Sequence, residues 1–153
     1  MFSGHQSFAL RIAWLPKSVE AVERGEDPFK DPRIGTQILG LGKNMVEALG
    51  YWVEFFGVIT FLPSGRPSPT EFGRRVLGKG GYDRFLEDER TLWLLHWHGA
   101  AAARRRFFAW HWLFNVHFEH EFTYAEALRE FKAHSDTYLR PLAGPSKLEK
   151  NRF

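Results

Sequence analysis

Apolar residues between positions 43 and 56 recur at steps of three and four, so Met45, Leu49, Trp52, Val53 and Phe56 share one side of a predicted helix. Lys43, Asn44, Glu47 and Tyr51 fall on its other faces and are expected to remain available, and Gly57 ends it. A shorter helix is predicted over residues 33–39, separated from the longer one by Gly40, Leu41 and Gly42. Short helix, glycine-containing turn and longer helix is the order of a helix-turn-helix. Residues 58–62 are β-branched and aromatic, and Pro63, Ser64, Gly65, Arg66 and Pro67 are turn formers. Thr70 then stands where an N-cap is needed for a short helix over 71–77. A strand, a loop bearing Arg66 and a return make a wing. The pattern therefore predicts a mainly α fold with a small β-wing, a winged helix-turn-helix followed by a helical bundle.

On either side the pattern is simpler. Residues 8–15 alternate weakly and predict an extended piece, and Pro16 then opens a helix over 16–24 that turns Val19 and Val22 inward and stops at Gly25. Residues 26–32 hold two prolines and three acids and read as a loop. Residues 82–86 predict a short helix or turn. Asp88 is placed to cap a helix over 89–98, with Leu92, Trp93 and Leu95 apolar, which Gly99 ends. Residues 100–118 are apolar nearly all round apart from Arg104, Arg105 and Arg106, and predict a central buried helix. Thr123 and Glu126 match a capping box before a last helix over 124–139. The expected organisation is a winged-helix DNA-binding region over 1–80, a helical region packed on it over 81–142, and a flexible or truncated tail over 143–153.

Composition adds boundaries to this picture. A chain of 153 residues that is 44% apolar and 16% aromatic can bury a core without covalent staples. With no cysteine, a disulfide framework, an iron–sulfur cluster and a thiolate zinc site are excluded. The first residues lack the basic and apolar runs of a secretory signal, and no window is apolar enough to span a bilayer, so a cytoplasmic location without membrane contact is expected. The net charge of +3 permits nucleic-acid binding without demanding it. Two thirds of the 21 basic residues are Arg, which suits bidentate phosphate and guanine contacts.

The best candidate site is the start of the longer helix at Gly42, Lys43 and Asn44. Free amides and the positive end of the helix dipole favour a phosphate, Lys43 adds charge, and Asn44 carries the donor and acceptor pair that reads adenine. The competing reading is local capping by Asn44 and a solvated Lys43. Tyr51 joins the expected DNA-contacting set, with Arg66 at the wing tip and Arg74, Arg75 and Lys79 behind it to track the backbone. A solvated basic surface explains Arg74 and Arg75 equally well. Arg104, Arg105 and Arg106 form a basic run that suits a nucleic-acid patch, and equally a structural role, since Glu87, Asp88, Glu89, Glu119 and Glu121 are available as ion-pair partners. His96 with His98, and His117 with Glu119 and His120, offer short metal-ligand spacings, but positions two apart on a helix diverge and no strong ligand motif is present. At the amino-terminal end, His5 is a candidate acid or base and Arg11 a candidate anion holder, with local capping as the simpler account.

Phosphate-binding loops, nucleophile elbows and dinucleotide fingerprints are absent from the sequence, so an independent enzyme is not indicated. A resemblance goes further. It rests on Phe2, Ser3, Gly4, His5, Gln6, Ser7 and Phe8 with Arg11 and Trp14, Leu15, Pro16 and Lys17. Gly40, Leu41, Gly42, Lys43, Asn44, Met45 and Val46 follow, then Leu86, Glu87 and Asp88, then Thr91, Leu92, Trp93, Leu94, Leu95 and His96. Together these resemble a bacterial family of formerly unassigned function associated with DNA phosphorothioation clusters, the family of the SspB-type DNA nickase. The resemblance implies a DNA-binding protein of an antiphage system that nicks one strand with Mg or Mn, so that a cysteine desulfurase, an ATPase and a reductase-like sulfur-transfer protein can install sulfur. It also implies longer relatives, and the sequence shows no close carboxylate constellation of the kind used in two-metal cleavage. The alternative is a non-catalytic interaction module that docks a sulfur-transfer or ATPase partner.

Overall fold

In the computed structural model of the chain, residues 8–101 and 108–139 are described. Helix α1 spans Trp14–Glu23, α2 Pro32–Leu39 and α3 Lys43–Phe55; strands β1 (Ile59–Phe61) and β2 (Pro67–Pro69) follow, then α4 (Glu71–Leu77), α5 (Glu89–Ala101), α6 (Phe108–Asn115) and α7 (Tyr124–Leu139). The fold is mainly helical with a two-stranded antiparallel sheet, in which Ile59 pairs with Pro69, Thr60 with Ser68 and Phe61 with Pro67. The chain divides into two compact units, to His111 and from Trp112.

The first helix begins earlier than the weak alternation suggested. Trp14, Leu15, Val19, Ala21 and Val22 are all buried, a helical spacing that carries the helix two residues ahead of Pro16. Pro16 is tolerated there because the first-turn amides have no partner within the helix. Gly25 closes the segment with φ +84°. Asp31 caps α2 through its side chain, accepting from the Arg33 amide at 2.7 Å, and Gly40 ends α2 at φ +67° with its amide donating to Thr36 O. The apolar side of α3 is wider than a single stripe: Val46, Ala48, Leu49, Tyr51, Trp52, Val53 and Phe55 are buried.

The hairpin is fastened at its base. The Thr70 hydroxyl donates to Gly57 O at 2.6 Å and accepts from the Gly73 amide at 2.8 Å, capping α4, while the Thr70 amide donates to Val58 O at 3.1 Å. Gly73 lies so close to Val58 that a Cβ there would run into the Val58 carbonyl. Farther along, Asp83 accepts from the Glu87 and Asp88 amides at 2.9 and 3.0 Å, which holds Leu86 at φ +58° with its side chain buried. Desolvation raises the Asp83 pKa, but these amide bonds outweigh it and the net shift is downward.

Gly99 does not stop α5, which continues to Ala101. The glycine serves packing instead, since a Cβ there would stand 2.6 Å from Phe55 Cε1. The buried helix expected over 100–118 ends short of 118: α6 spans Phe108–Asn115, with Phe108 and Trp112 buried but Phe114 half exposed, and residues 102–107, Arg104, Arg105 and Arg106 among them, lie outside the described residues.

In the second unit, Trp112 packs against Phe131 at 5.4 Å and His117 at 4.9 Å, and His117 Nδ1 lies 3.1 Å from a Glu130 oxygen. The capping box forms as its residues require. The Thr123 amide donates to Glu126 at 2.8 Å, and the Glu126 amide donates to Thr123 Oγ1 at 3.3 Å.

The contact at Gly73 gives a direct test. Gly73→Ala is expected to cost about 1–3 kcal/mol through overpacking against backbone that cannot yield. Urea unfolding of both proteins would measure it; equal midpoints would show the approach to be looser than described.

Candidate nucleic-acid interface

Helix α3 starts without a side-chain cap. Gly42 takes the N-cap position in extended conformation, and its carbonyl accepts from the Met45 and Val46 amides at 2.9 and 3.0 Å. Gly42, Lys43 and Asn44 are exposed, and the adjoining amides are the ones a helix leaves unbonded within itself. The positive end of a 13-residue helix, a lysine and an amide side chain thus share one accessible turn. Asn44 lies at the second helical position rather than at the N-cap, so it is not committed to capping in the way the simpler reading required.

The hairpin turn carries Arg66. Gly65 adopts φ +83°, the Leu62 amide donates to Arg66 O at 2.9 Å, and Arg66 is exposed. Arg74 and Arg75 are exposed as well, but both are tethered. Arg74 Nη1 donates to Pro69 O at 2.6 Å, while Arg75 pairs with Glu71 at 2.8 Å across one helical turn. Arg74 therefore braces β2 and Arg75 belongs to a surface ion pair, an arrangement usually worth little to stability. Lys79 is exposed, its amide donating to Glu23 at 3.2 Å.

Tyr51 is a correction. At 3% exposure it is buried, packed edge-on against Trp52 at 5.3 Å, and does not join Lys43 and Asn44 on an open face. The spacing misled because α3 is apolar around more than half its circumference, with Ala48, Tyr51 and Phe55 forming a second buried face. That second face was hard to foresee, since tyrosine suits a core as well as a rim. Sequence reasoning also missed a cleft of about 410 Å³ beside α3, lined by Phe29, Glu47, Gly50, Tyr51 and Phe61 among others. Its aromatic walls come from segments far apart in the chain, and periodicity within one helix gives no sign of them.

The remaining candidates do not converge. Arg11 is exposed, with its guanidinium 5.8 Å from the Trp14 ring centroid, and His5 lies outside the described residues. His98 stacks flat on Phe72 at 4.2 Å, and His96 stands edge-on to Trp93 and Trp110. Among the described residues, no group of three or more His, Asp or Glu side chains is placed to hold a metal ion. Nor is any helix among them long and apolar enough to cross a membrane.

The family model described as a protein of unknown function, DUF4007, matches residues 2–150, and the chain belongs to that family. Its structure is similar to crystal structures of SspB. A magnesium ion-bound SspB shares 27% identity with TM-score 0.71, over 89% of this chain and 42% of the other. A second SspB crystal structure shares 28% identity with TM-score 0.72, over 89% and 43%. The chain thus spans less than half the length of the SspB chains it matches. No curated protein matches it.

The contrast along α3 can be measured. Lys43→Ala with Asn44→Ala is expected to change stability by no more than about 0.5 kcal/mol, as exposed substitutions do. Tyr51→Ala should cost about 3–5 kcal/mol, in the range of large aromatic truncations. Chemical denaturation of the two variants against the parent would decide, and a small Tyr51→Ala effect would return that residue to the surface.

Proposed function

We propose that the chain is the DNA-binding part of a DNA phosphorothioation system, using α2, the turn at Gly40 to Gly42 and α3 as a helix-turn-helix and the β1–β2 hairpin as its wing. The observation that carries this reading is the exposed first turn of α3, where Lys43 and Asn44 stand beside unbonded amides in a chain similar to SspB. In this proposal the first turn holds a phosphate and presents Asn44 to a base edge, and Arg66 follows the adjacent backbone. Arg74 and Arg75 contribute less, because their guanidinium groups are already engaged.

Binding of this kind releases counterions, so affinity should fall steeply with salt. Fluorescence anisotropy with a labelled duplex between about 50 and 200 mM salt would follow it. Replacing Lys43, Asn44 and Arg66 together by Ala should weaken binding and shallow the salt slope by about one unit per lost phosphate contact. Wild-type protein without affinity even at the low-salt end would remove the proposal.

Strand nicking is the further expectation, with magnesium or manganese as the ion and a cysteine desulfurase, an ATPase and a reductase-like sulfur-transfer protein as partners. The described residues do not assemble a ligand set for such an ion, so no chemical step is assigned to them. Supercoiled plasmid incubated with the protein and either ion should yield open-circle product that chelator prevents. Binding without that product would limit the chain to recognition.

A second reading, docking of a sulfur-transfer or ATPase partner without catalysis, draws on α5. Trp93 and Trp97 are 66% and 65% exposed on a helix whose other side buries Leu95 and Gly99 within the first unit. Exposed large aromatics at helical spacing are features of protein interfaces. Co-purification with such a partner, without salt-sensitive DNA affinity, would favour this reading over the first.

A further inference from the structure

Helix α5 carries a face that the DNA-binding reading does not use. Arg90, Trp93, Leu94, Trp97 and Ala101 are all exposed and recur at steps of three and four, so they share one side over three turns, while Leu95 and Gly99 are buried on another. Trp93 stands edge-on to the His96 ring at 5.8 Å, a contact that steadies its indole before any partner arrives. With both indoles about two-thirds open and Leu94 42% open, the face offers roughly 400 Å² of apolar surface, the size of patch that marks an interaction site on a monomer.

Charge and spacing select the occupant. A nucleic-acid strand is disfavoured, because Glu87, Asp88 and Glu89 stand at the start of the same helix. Arg90 is already paired with its own Asp88 at 2.6 Å, so its charge is balanced locally and two such faces do not repel through it. The order of the side chains is complementary to its own reverse. Turned end over end, the face sets Trp97 against Trp93 and Leu94, and the long Arg90 against the small Ala101. The two arginines of such a pair lie about 16 Å apart along the helices at 1.5 Å per residue, beyond a screening length at physiological salt.

We propose that α5 is a self-association surface, which pairs antiparallel with α5 of a second copy about a two-fold axis, its indoles at the centre and each Arg90 lying over the partner's Ala101. Pairing removes about 800 Å² of apolar surface from water, short of the roughly 1,200 Å² at which standard stable interfaces begin, so it is weak and depends on concentration. This goes beyond the DNA-binding reading, and it makes a second copy, instead of an unlike protein, the occupant of the indole surface. Two starts of α3 carried on one particle would add avidity for DNA long enough to reach both.

Sedimentation velocity of the 153-residue chain, without DNA, from about 5 to 300 μM would measure it. Wild type is expected to dimerise with Kd on the order of 100 μM. Trp93→Ser with Trp97→Ser should weaken self-association on the order of a hundredfold, as loss of two central anchors does, with circular dichroism confirming that the variant is folded. Ala101→Glu carries the opposite sign. It brings a carboxylate to the partner's Arg90 and should tighten the dimer about threefold, a response that a sticky patch without register would not give. Wild type that stays monomeric to about 300 μM, self-association that persists in the double serine variant, or an Ala101→Glu protein that associates more weakly than wild type would overturn the proposal. With no DNA present, none of these outcomes bears on the DNA-binding reading.

Discussion

The arrangement of the first unit depends on how tightly the chain turns where it leaves α3 and enters α4. Gly57 takes a left-handed conformation, its carbonyl accepts the Thr70 hydroxyl, and the Val58 carbonyl accepts the Thr70 amide while pressing on Gly73. One threonine thus closes the hairpin base and caps the next helix, and one glycine makes the approach sterically possible. Side chains at position 73 or a different cap at position 70 would move α4 away from β1. The hairpin would then lose its fixed direction, and Arg66 its place at the turn. Burial of Val58, Ile59, Val76 and Leu77 in one core cluster with Leu49 and Val53 makes the clamp cooperative with the packing of α3.

Much of this was legible because the signals are local. Thr70 as a cap, Gly25 as a left-handed terminator, the glycine break after Leu39, and the reciprocal bonds of Thr123 and Glu126 follow from the chemistry of a few adjacent residues. Lys43 and Asn44 were likewise readable, since a helix start after two glycines has little to cover it. Tyr51 and Gly99 were not legible for the opposite reason. Their roles are fixed by residues distant in sequence: Tyr51 joins a second buried face of α3, and Gly99 makes room for the Phe55 ring. A glycine within a helical pattern can end the helix or admit a neighbour, and only the neighbour decides. The cleft walls, brought together from positions 29, 47, 50 and 61, belong to the same class of tertiary information.

Helix α5 shows what such packing leaves open. Leu95 and Gly99 bury one side of it within the first unit, yet Trp93, Leu94 and Trp97 on other faces remain substantially exposed. A helix apolar on more than one side is ordinarily enclosed. The chain therefore presents two surfaces of different character, a cationic one built on backbone amides and an aromatic one built on indoles. Salt acts on the first and hardly on the second, because screening weakens charge contacts while apolar burial does not depend on it.

The two faces of α3 are coupled by a shared backbone. Its exposed first turn offers amides, Lys43 and Asn44, while within the next turn and a half Val46, Leu49 and Tyr51 are locked into the core. A helix start that is free to meet a charged strand is thereby held by a body that cannot rotate, so recognition at this turn needs little ordering of the protein itself. That preorganisation spares the entropy that a mobile loop would lose on binding. It also fixes the cleft relative to the cationic turn, since Glu47, Gly50 and Tyr51 ride on the same helix as Lys43. One rigid helix thus sets the position of Lys43 and Asn44 against the core and the cleft alike.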